Sequence, residues 1–333
     1  MPGVEILARL TVLGSLNMDI SVTVPTLPAP GATVLGGGAT FAPGGKGANQ
    51  AVAAARLGAG AGIRVRMVGC VGDDDFGRAL KATLSREGVD DSTVRMVPGA
   101  PTGIAMITVD QSGENIITVA PGANREVSQQ DIAALSEPAA GLPSVLVLSA
   151  EVPVPAILAA LAAARATDPA APGALTVVNL APAPPEAEAA AILTQRPDWL
   201  VVNELEAAAV LGRPVSGLQA AARAATDLVE AGAGNAVVTA GAAGAAFHVA
   251  REPSPRTVPA FAIRARDTVG AGDTFVGALA VALAAGVQPG AAVTAASAAA
   301  ATAATRPGTQ AGMPRPADVR AATGFAWPVP VAG

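Results

Sequence analysis

Short apolar runs alternate along the chain with Ala-rich segments of helical periodicity. The apolar runs are TVLGS, RVRMVGCVG, SVLVLSAE, LTVVNLAP, WLVVNE and NAVVTAGAAG, and helical patterns occupy 46–57, 76–87, 155–166, 186–194 and 217–231. Runs such as VLVL and TVVNL are apolar without alternation, which is typical of central parallel strands covered by helices on both faces. The pattern therefore predicts an α/β fold with a doubly wound, mostly parallel sheet flanked by helices.

Two insertions, at about 20–43 and 102–122, interrupt this alternation, and both look antiparallel. In the second, GIAMITVD and ENIITVA flank a short turn at Gln111-Ser112-Gly113, which predicts a hairpin. We expect the two insertions to form one small antiparallel β lid that excludes water from a reactive site. Residues 1–333 are otherwise predicted to form a single domain, with a tail at 324–333 that is loose or laid on the surface.

Composition and charge narrow the possible partners. The chain of 333 residues has 21 Lys and Arg against 26 Asp and Glu, a net charge of −5, and its basic residues are scattered, so no nucleic-acid surface is expected. Cys70 is the only cysteine and the start lacks a signal-peptide pattern, which predicts a cytoplasmic protein.

One uncharged stretch, 274–305, is long enough to span a bilayer. Gln288-Pro289-Gly290 divides it, and its residues are mainly small, so two tightly packed buried helices are expected instead of a membrane segment.

The segment DTVGAGDTF, residues 267–275, carries the clearest chemistry. A predicted strand, TVPAFAIRAR, leads through glycines into a helix that begins near Asp273, and the bare amides of such a helix start favour phosphate. An aspartate there would repel the phosphate unless it had a proton to collect, so Asp273 is predicted to be the general base of a phosphoryl transfer. The alternative is that Asp273 only caps its helix. The neighbouring Gly270, Gly272 and Asp267 favour the base.

A second glycine-rich segment, PGGKGANQ at 43–50, opens another helix. Lys46 and Asn49 within it are predicted to bind sugar hydroxyls. The alternative is that the segment is only an ordinary glycine turn. Asn17 and Asp19 follow the first strand at its carboxyl end, where ligands bind in open α/β sheets, although such a pair alone more often marks a turn. Glu151 likewise follows the strand SVLVLSA.

Two further segments allow two interpretations each. Asn203 and Glu206 start a helix, where Glu206 either reaches a magnesium ion through water or only satisfies the helix start. The segment from Thr239 to Gly244 either lines a nucleotide or is only a hairpin turn. No P-loop pattern or protein-kinase HRD set occurs, and the single histidine, His248 in an apolar run, excludes a His-rich metal site.

The segments PGGKGANQAVAAARLGA and DTVGAGDTFVGALA resemble the two signatures of the ribokinase-like (PfkB) family of carbohydrate kinases, and the match runs from about Thr11 to about Ala321. GSLNMD, VGDDDFG, APGAN, NLAPAP and TRPGTQ are most similar to the ribokinase branch. The resemblance implies ATP-dependent phosphorylation of the 5-hydroxyl of D-ribose, giving ribose 5-phosphate and ADP, by a homodimer that pairs through its lids. Two alternatives stay open: another acceptor, namely deoxyribose, fructose or a nucleoside, or a catalytically idle sugar sensor.

The resemblance also implies a role for particular residues. The sugar site would comprise Asn17, Asp19, Gly45, Lys46, Gly47, Asn49, Glu151 and the base Asp273. The nucleotide site would comprise Asn203, Thr239, Gly241, Gly244, Gly272 and Ser297, with Glu206 near magnesium and an anion hole at Gly270, Ala271, Gly272 and Asp273. An activating potassium ion would be bound by Asp267 and by carbonyls of Val269, Ala303, Arg306 and Gly308.

Two positions depart from the family pattern. Gly312 stands where a serine hydroxyl often serves the cation, which removes one side-chain ligand. Ser297 stands where His or Asn is often found near the adenine, which bears on nucleotide preference.

Overall fold

The computed structural model of the chain describes residues 6–136, 142–165 and 173–329. Its strands form a nine-stranded sheet in the order β13-β12-β11-β10-β9-β8-β1-β4-β5 and a four-stranded sheet in the order β3-β2-β6-β7. The strands are β1 Ala8–Leu13, β2 Asn17–Val24, β3 Thr40–Gly44, β4 Ile63–Gly72, β5 Val94–Val97, β6 Gly103–Asp110, β7 Asn115–Ala120, β8 Ser144–Ser149, β9 Leu175–Asn179, β10 Trp199–Asn203, β11 Asn235–Thr239, β12 Gly244–Val249 and β13 Arg256–Pro259.

All pairings of the large sheet from β11 to β5 are parallel, and only the two pairings of β12, with β11 and with the edge strand β13, are antiparallel. The chain builds outward from β1 through β4 to β5, and then returns to β8 on the other side of β1. This reversal between β1 and β8 creates the crevice at which open α/β sheets bind ligands, at the carboxyl ends of the strands. The predicted doubly wound, mostly parallel sheet is confirmed.

Helices cover both faces of this sheet. They are α1 Lys46–Leu57, α2 Asp75–Arg86, α3 Gln129–Ile132, α4 Val154–Ala164, α5 Glu186–Thr194, α6 Glu204–Leu211, α7 Gly217–Glu230, α8 Ala271–Ala284, α9 Pro289–Ala304, α10 Thr309–Gly312 and α11 Pro316–Thr323, with short 3₁₀ turns at Gly122–Glu126, Ala133–Ser136 and Gly241–Ala243. The five helices predicted from periodicity each begin within one residue of the predicted start.

Both faces of the central strands are buried. In β8, Val145 and Val147 pack in the core formed with α1, α8 and α9, whereas Leu146 and Leu148 pack in the core formed with α4 to α7. Burial on both sides is the physical reason why these strands have no polar alternation in the sequence.

The uncharged stretch 274–305 forms most of α8 and α9, which pack on each other as predicted. In the described part of the chain no helix has the length and apolarity to cross a membrane. Helix α8 also lies very close to α1, because a Cβ added at Gly277 would be 2.7 Å from the Gln50 carbonyl oxygen and 2.9 Å from the Ala53 Cβ. This close approach brings the first turn of α8 alongside the first turn of α1.

The two insertions form the four-stranded sheet. Each contributes an antiparallel pair, β2 with β3 and β6 with β7, as predicted. The pairs join through β2 and β6, which run parallel, so the sheet is mixed. It begins at Asn17 and includes Gly44, slightly beyond the predicted insertion at 20–43.

The predicted strand TVPAFAIRAR is mostly wrong. The strand β13 ends at Pro259, opposite Gly244, where its partner β12 begins. Beyond that residue no strand in the described part of the chain pairs with this segment, and 260–269 is irregular. In the tail, the Phe325 ring packs edge-on against the Phe261 ring, with the two ring centroids 5.9 Å apart, and Val329 is buried. Residues 324–329 therefore pack on the rest of the domain. Residues 330–333 of the predicted loose tail lie outside the described residues.

Candidate active site

The carboxylate of Asp273 lies in the first turn of α8 and is 8% exposed. Its Oδ2 accepts a hydrogen bond from Asn49 Nδ2 at 2.9 Å, and its Oδ1 accepts one from Gln50 Nε2 at 3.3 Å. Both donors belong to α1. The N-cap residue of α8 is Gly270, and no side-chain hydrogen bond caps the helix. The carboxylate is therefore engaged with another helix and does not cap its own.

The two amides that hold Asp273 are themselves held by buried amides. Gln310 Nε2 donates to Asn49 Oδ1 at 3.0 Å, and Gln50 Nε2 also donates to Asn179 Oδ1 at 2.9 Å. Asn179 Nδ2 in turn donates to the Val201 carbonyl oxygen at 3.1 Å. Gln50, Asn179 and Gln310 were missed as site residues, because three amides far apart in the sequence have no spacing that identifies them.

Backbone amides are open to an anion at the start of α8. The amide of Ala271 donates to the Thr268 carbonyl oxygen and that of Thr274 to the Gly270 carbonyl oxygen. The amides of Gly272 and Asp273 make no backbone hydrogen bond within the described chain, as expected in a first helical turn. A Cβ at Gly272 would meet no heavy atom within 4 Å, so its bare backbone faces open space. This turn can bind phosphate oxygens beside the Asp273 carboxylate.

The residues predicted to bind the sugar lie at the crevice between β1 and β8. Asn17 and Asp19 begin β2, directly after β1, and Glu151 follows β8. Glu151 Oε2 accepts hydrogen bonds from Ser15 Oγ at 2.5 Å and from the Lys46 amide at 3.2 Å. These two bonds tie the start of α1 to the ends of both strands.

Asn17 is held by a residue that the sequence analysis also missed. Asn124 Nδ2 donates to Asn17 Oδ1 at 2.8 Å, and Asn124 Oδ1 accepts from the Leu16 amide at 2.9 Å. Asn124 belongs to the APGAN segment, which resembles the family without indicating a role for this side chain.

Glycines let α1 approach the strands closely. Gly45 has a φ of 89°, and a Cβ there would lie 2.7 Å from the Asn17 amide nitrogen. A Cβ at Gly47 would lie 2.6 Å from the Gly14 carbonyl carbon. The segment 43–50 is therefore more than a turn, because its glycines seat a helix start against the backbone that carries Asn17 and Asp19.

Several carboxylates at this site interact electrostatically with one lysine, Lys46. Burial, and then the charges of Glu151 and Asp273, raise the pKa of Asp19 to about 7. The pKa of Lys46 is raised chiefly by Asp273, with Glu151 and Glu206 adding to it while burial opposes them. Lys46 is thus a firmly charged cation that lies between the predicted sugar side and the predicted nucleotide side.

The residues predicted to bind the nucleotide have local structural roles as well. Asn203 and Glu206 form a capping box on α6, with 2.8 Å hydrogen bonds from the Glu206 amide to Asn203 Oδ1 and from the Asn203 amide to Glu206 Oε2. Burial raises the pKa of Glu206 despite that bond and the charge of Lys46. The helix-start interpretation is thus correct, and it leaves the carboxylate near Lys46.

Four other residues predicted to bind the nucleotide lie at the end of β11, in the turn that follows it, at the start of β12 and in α9; they are Thr239, Gly241, Gly244 and Ser297. The Thr239–Gly244 segment joins the antiparallel strands β11 and β12, so it is a turn, and Gly241 within it has a φ of 49° with open space at its Cβ position. Ser297 is buried in α9, and its hydroxyl donates to the Val293 carbonyl oxygen at 2.9 Å.

The predicted cation ligands come together beside the anion site. Asp267 Oδ1 accepts a hydrogen bond from the Val269 amide at 3.0 Å, and Asp267 Oδ2 accepts one from the Gly308 amide at 2.8 Å. A Cβ at Gly312 would lie 3.3 Å and 3.4 Å from the carbonyl oxygens of Arg306 and Ala303. No cluster of three His, Cys, Asp or Glu side chains that could hold a metal occurs among the described residues. A cation here would depend mainly on backbone carbonyls.

Cys70 and His248 lie in the sheet, outside this constellation. The Cys70 thiol is fully buried in β4, and burial raises its pKa to about 12, as suits a core residue. His248, in β12, contacts the Glu252 carbonyl oxygen through Nε2 at 3.1 Å.

Comparison with known proteins agrees with this geometry. Residues 7–316 match the family described as pfkB family carbohydrate kinase. Ribokinase from Haemophilus influenzae is 36% identical over 274 residues, which cover 82% of this chain and 85% of the relative. Deoxyribokinase from Salmonella typhi is 33% identical and covers 81% of this chain and 84% of the relative.

A solved structure is similar over nearly the whole fold. It is that of Arabidopsis thaliana ribokinase complexed with ribose and ATP, which superposes with a TM-score of 0.79 at 28% identity and covers 96% of this chain and 99% of that one. Because the family match spans residues 7–316 and the relatives exceed 30% identity over most of the chain, this protein belongs to the pfkB family of carbohydrate kinases.

Proposed function

We propose that this protein transfers the γ-phosphoryl group of ATP to the 5-hydroxyl of D-ribose, giving ribose 5-phosphate and ADP. One observation carries the proposal: a buried carboxylate, Asp273, shares its helical turn with the open amides of Gly272 and Asp273. A base and an anion site on one turn are what a transfer from a phosphate to a hydroxyl requires. The ribokinase relatives and the ribose and ATP complex of the Arabidopsis enzyme support ribose as the acceptor.

Each group at the site has a defined task in this reaction. Asp273 takes the proton of the acceptor hydroxyl as that oxygen bonds to the γ-phosphorus, while the bond from phosphorus to the ADP oxygen breaks. The amides at the start of α8 stabilise the negative charge on the transferred group. Lys46, charged and close to both Asp273 and Glu206, balances the charge that spans the sugar and the phosphates.

The sugar is held at the crevice between β1 and β8. Asp19 and Glu151 offer carboxylate oxygens to its hydroxyls, and Asn17 offers an amide. Asn49 lies against Asp273 and directs the acceptor hydroxyl toward that base. The full proposed set is Asn17, Asp19, Gly45, Lys46, Gly47, Asn49, Glu151 and Asp273.

ATP lies between α6, the turn after β11, and the start of α8. The proposed contacts are Asn203, Thr239, Gly241, Gly244, Gly272 and Ser297, and the anion hole comprises Gly270, Ala271, Gly272 and Asp273. Glu206 would hold magnesium through water, and its half-buried carboxylate fits a cation because partial burial makes its negative charge costly. When bound, magnesium neutralises charge on the phosphates.

A potassium ion beside the anion hole is part of the same proposal. Its ligands would be Asp267 and the carbonyls of Val269, Ala303, Arg306 and Gly308. The hydrogen bond from the Gly308 amide to Asp267 already ties these two segments together, so a cation there would stiffen the loop that leads into α8.

The four-stranded sheet is proposed to act as a lid and to pair with the lid of a second copy. All six residues of its edge strand β7 are exposed, and Ile116, Ile117 and Val119 are among them. Met106 on the neighbouring strand β6 and Phe41 on β3, at the opposite edge of the sheet, are also exposed. An apolar edge strand with unpaired backbone groups favours association with a second sheet. We place this homodimer in the cytoplasm, where ATP is available.

Replacing Asp273 with Asn should lower kcat for ribose by about 10² to 10⁴, because a general base contributes that factor. An assay of ADP release in the presence of ATP, magnesium and ribose measures this loss of kcat. Asp75→Asn is the matched control, since it removes the same charge from an exposed first turn of α2 and should leave kcat unchanged. Undiminished turnover in Asp273→Asn would refute the assignment of the base.

The wild-type protein should prefer ribose in a panel of ribose, deoxyribose, fructose and nucleosides at equal concentration. The deoxyribokinase relative makes deoxyribose the second candidate, and faster turnover of deoxyribose would establish it. Ribose binding in calorimetry without phosphorylation of any acceptor would instead support the idle sensor.

The KM for ribose should fall as the pH rises through about 7, because Asp19 then becomes a carboxylate that accepts hydrogen bonds from hydroxyls. Asp19→Asn should weaken ribose binding and remove this pH dependence. Steady-state kinetics from pH 5.5 to 8.5 would measure both, and a KM for ribose that is flat across this range would contradict the role.

The raised pKa of Asp19 also predicts how the stability of the protein changes with pH. The pKa of Asp19 is 3.8 in the unfolded chain and about 7 in the folded, ligand-free protein. Between these two pH values the folded protein keeps a proton on Asp19 that the unfolded chain has lost. This contribution to stability is therefore lost as the pH rises through that window. Asp19→Asn should raise the Tm more at pH 8 than at pH 5, and an equal change in Tm at both pH values would exclude the half-buried carboxylate of Asp19 as its cause.

Gly312→Ser should lower the potassium concentration for half-maximal activation by roughly fivefold, the equivalent of about 1 kcal/mol for one added polar contact. The hydroxyl would reach the carbonyls of Arg306 and Ala303. Gly312→Ala controls for the added Cβ and should not produce this gain. If potassium changes the rate of neither the wild-type protein nor Gly312→Ser, the cation site is absent.

Ile117→Lys should convert a dimer to monomers in sedimentation velocity, because Ile117 is 51% exposed on the lid and a charge there would have to be buried on pairing. Leu205→Lys is the control, since Leu205 is exposed on α6, outside the small sheet, and should leave the dimer intact. A dimer that survives Ile117→Lys would place the interface elsewhere.

A further inference from the structure

We infer that Gln310 is a positioning residue for Asp273 and acts through Asn49. This inference rests on the proposed phosphoryl transfer, in which Asp273 is the base. The contacts form a buried chain: Gln310 Nε2 donates to Asn49 Oδ1 at 3.0 Å, and Asn49 Nδ2 donates to Asp273 Oδ2 at 2.9 Å. The three side chains come from α10, α1 and α8.

The charge of Asp273 sets the direction of every bond in this chain. An ionised carboxylate only accepts hydrogen bonds, so Asn49 must turn its NH₂ group toward Asp273. The Asn49 Oδ1 atom then faces the other way and requires a donor. Gln310 supplies that donor, and an acceptor at the same position would turn the Asn49 amide around and aim its oxygen at the base.

The remaining atoms of Gln310 indicate that it is more than core filler. Its side chain is buried, and its Oε1 has no hydrogen-bond partner among the described residues. A buried acceptor without a partner costs free energy that an apolar side chain of similar size would avoid. The bond from Nε2 to Asn49 is thus what a glutamine contributes at this position.

The backbone of Gln310 is fastened independently of its side chain. Arg56 Nη1 donates to the carbonyl oxygens of Gln310, at 2.6 Å, and of Met313, at 2.8 Å. Glu87 holds the same guanidinium in a two-bond ion pair, with distances of 2.8 Å and 2.7 Å. Arg56 and Asn49 are seven residues apart on α1, so both lie on one face of that helix. Helix α1 therefore holds this turn at two points.

The same turn also reaches the loop that precedes α8. Gly308, the N-cap of α10, donates its amide to Asp267 at 2.8 Å. The turn at 308–313 thus contacts the base through Gln310 and Asn49, and the start of the anion-binding segment through Gly308. Through these two contacts it sets the position of the carboxylate relative to the amides beside it.

The test is a double-mutant cycle on the full chain with ATP, magnesium and ribose. Gln310→Met removes the donor at similar volume, and Gln310→Glu replaces it with an acceptor of the same shape. Each is combined with Asn49→Ala. We expect Gln310→Met to lower kcat roughly tenfold, the usual size of one lost hydrogen bond, with the KM for ATP unchanged. Gln310→Glu should lower kcat further.

Two readouts separate positioning from a merely structural role. In the Asn49→Ala background, Gln310→Met should change kcat by less than roughly twofold, because residues that act through one contact are not additive. The loss in Gln310→Glu should also fall on kcat and leave the KM for ATP unchanged, because the altered contact lies at the base and not at the nucleotide. Gln219→Met, an exposed site on α7, controls for the substitution itself.

Several outcomes would overturn the inference. One is an equal loss of kcat in the wild-type and Asn49→Ala backgrounds. Another is a lower Tm in both Gln310 variants with unchanged kcat, which would assign Gln310 to folding. If Gln310→Met fails to fold, the cycle with Gln310→Glu decides alone. Wild-type turnover of ribose separates the two proposals: without it the proposed function fails, whereas an active wild type with an additive cycle refutes only the role of Gln310.

Discussion

The hydrogen bonds from Asn49 and Gln50 to the buried carboxylate of Asp273 connect the two helices that form the site. A buried charge is tolerated only when it is paired or hydrogen-bonded, so the carboxylate requires these donors. They are available because α8 meets α1 without a side chain at Gly277. Both helices also begin at the site, so the positive ends of two helix dipoles lie near one carboxylate and the proposed phosphate.

The site concentrates negative charge before any substrate arrives. The charges of Asp273, Glu151 and Glu206 act on one cation, Lys46, and burial, with the charges of Glu151 and Asp273, raises the pKa of Asp19 to about 7. Such an arrangement costs stability in the free protein, because buried carboxylates lose hydration. In the proposed reaction, sugar hydroxyls would supply hydrogen-bond donors, and the magnesium ion would supply the positive charge that the site lacks. The same groups that make the site selective therefore make the empty protein less stable.

Much of this was predictable from local patterns, and the rest was not. Glycine-rich helix starts are local signals, so the sequence indicated both Lys46 and Asp273 as functional residues. It favoured a base over a helix cap at Asp273 because of the neighbouring glycines and Asp267. Whether the carboxylate turns to its own helix or to α1 depends on how the two helices pack. The predicted strand before α8 failed at Pro259 because β12 gives it no further partner, which composition cannot reveal.

The sequence by itself determined the α/β alternation, the starts of the helices and the identity of the chemical groups. Hydrophobic periodicity and glycine act over a few residues, so those features need no distant partner. Only the tertiary structure decided which groups meet. Gln310 lies 261 positions from Asn49, and Asp273 lies 224 positions from it, yet the three form one buried chain. Contacts at such separations depend on how helices pack on the sheet, and no local pattern encodes that packing.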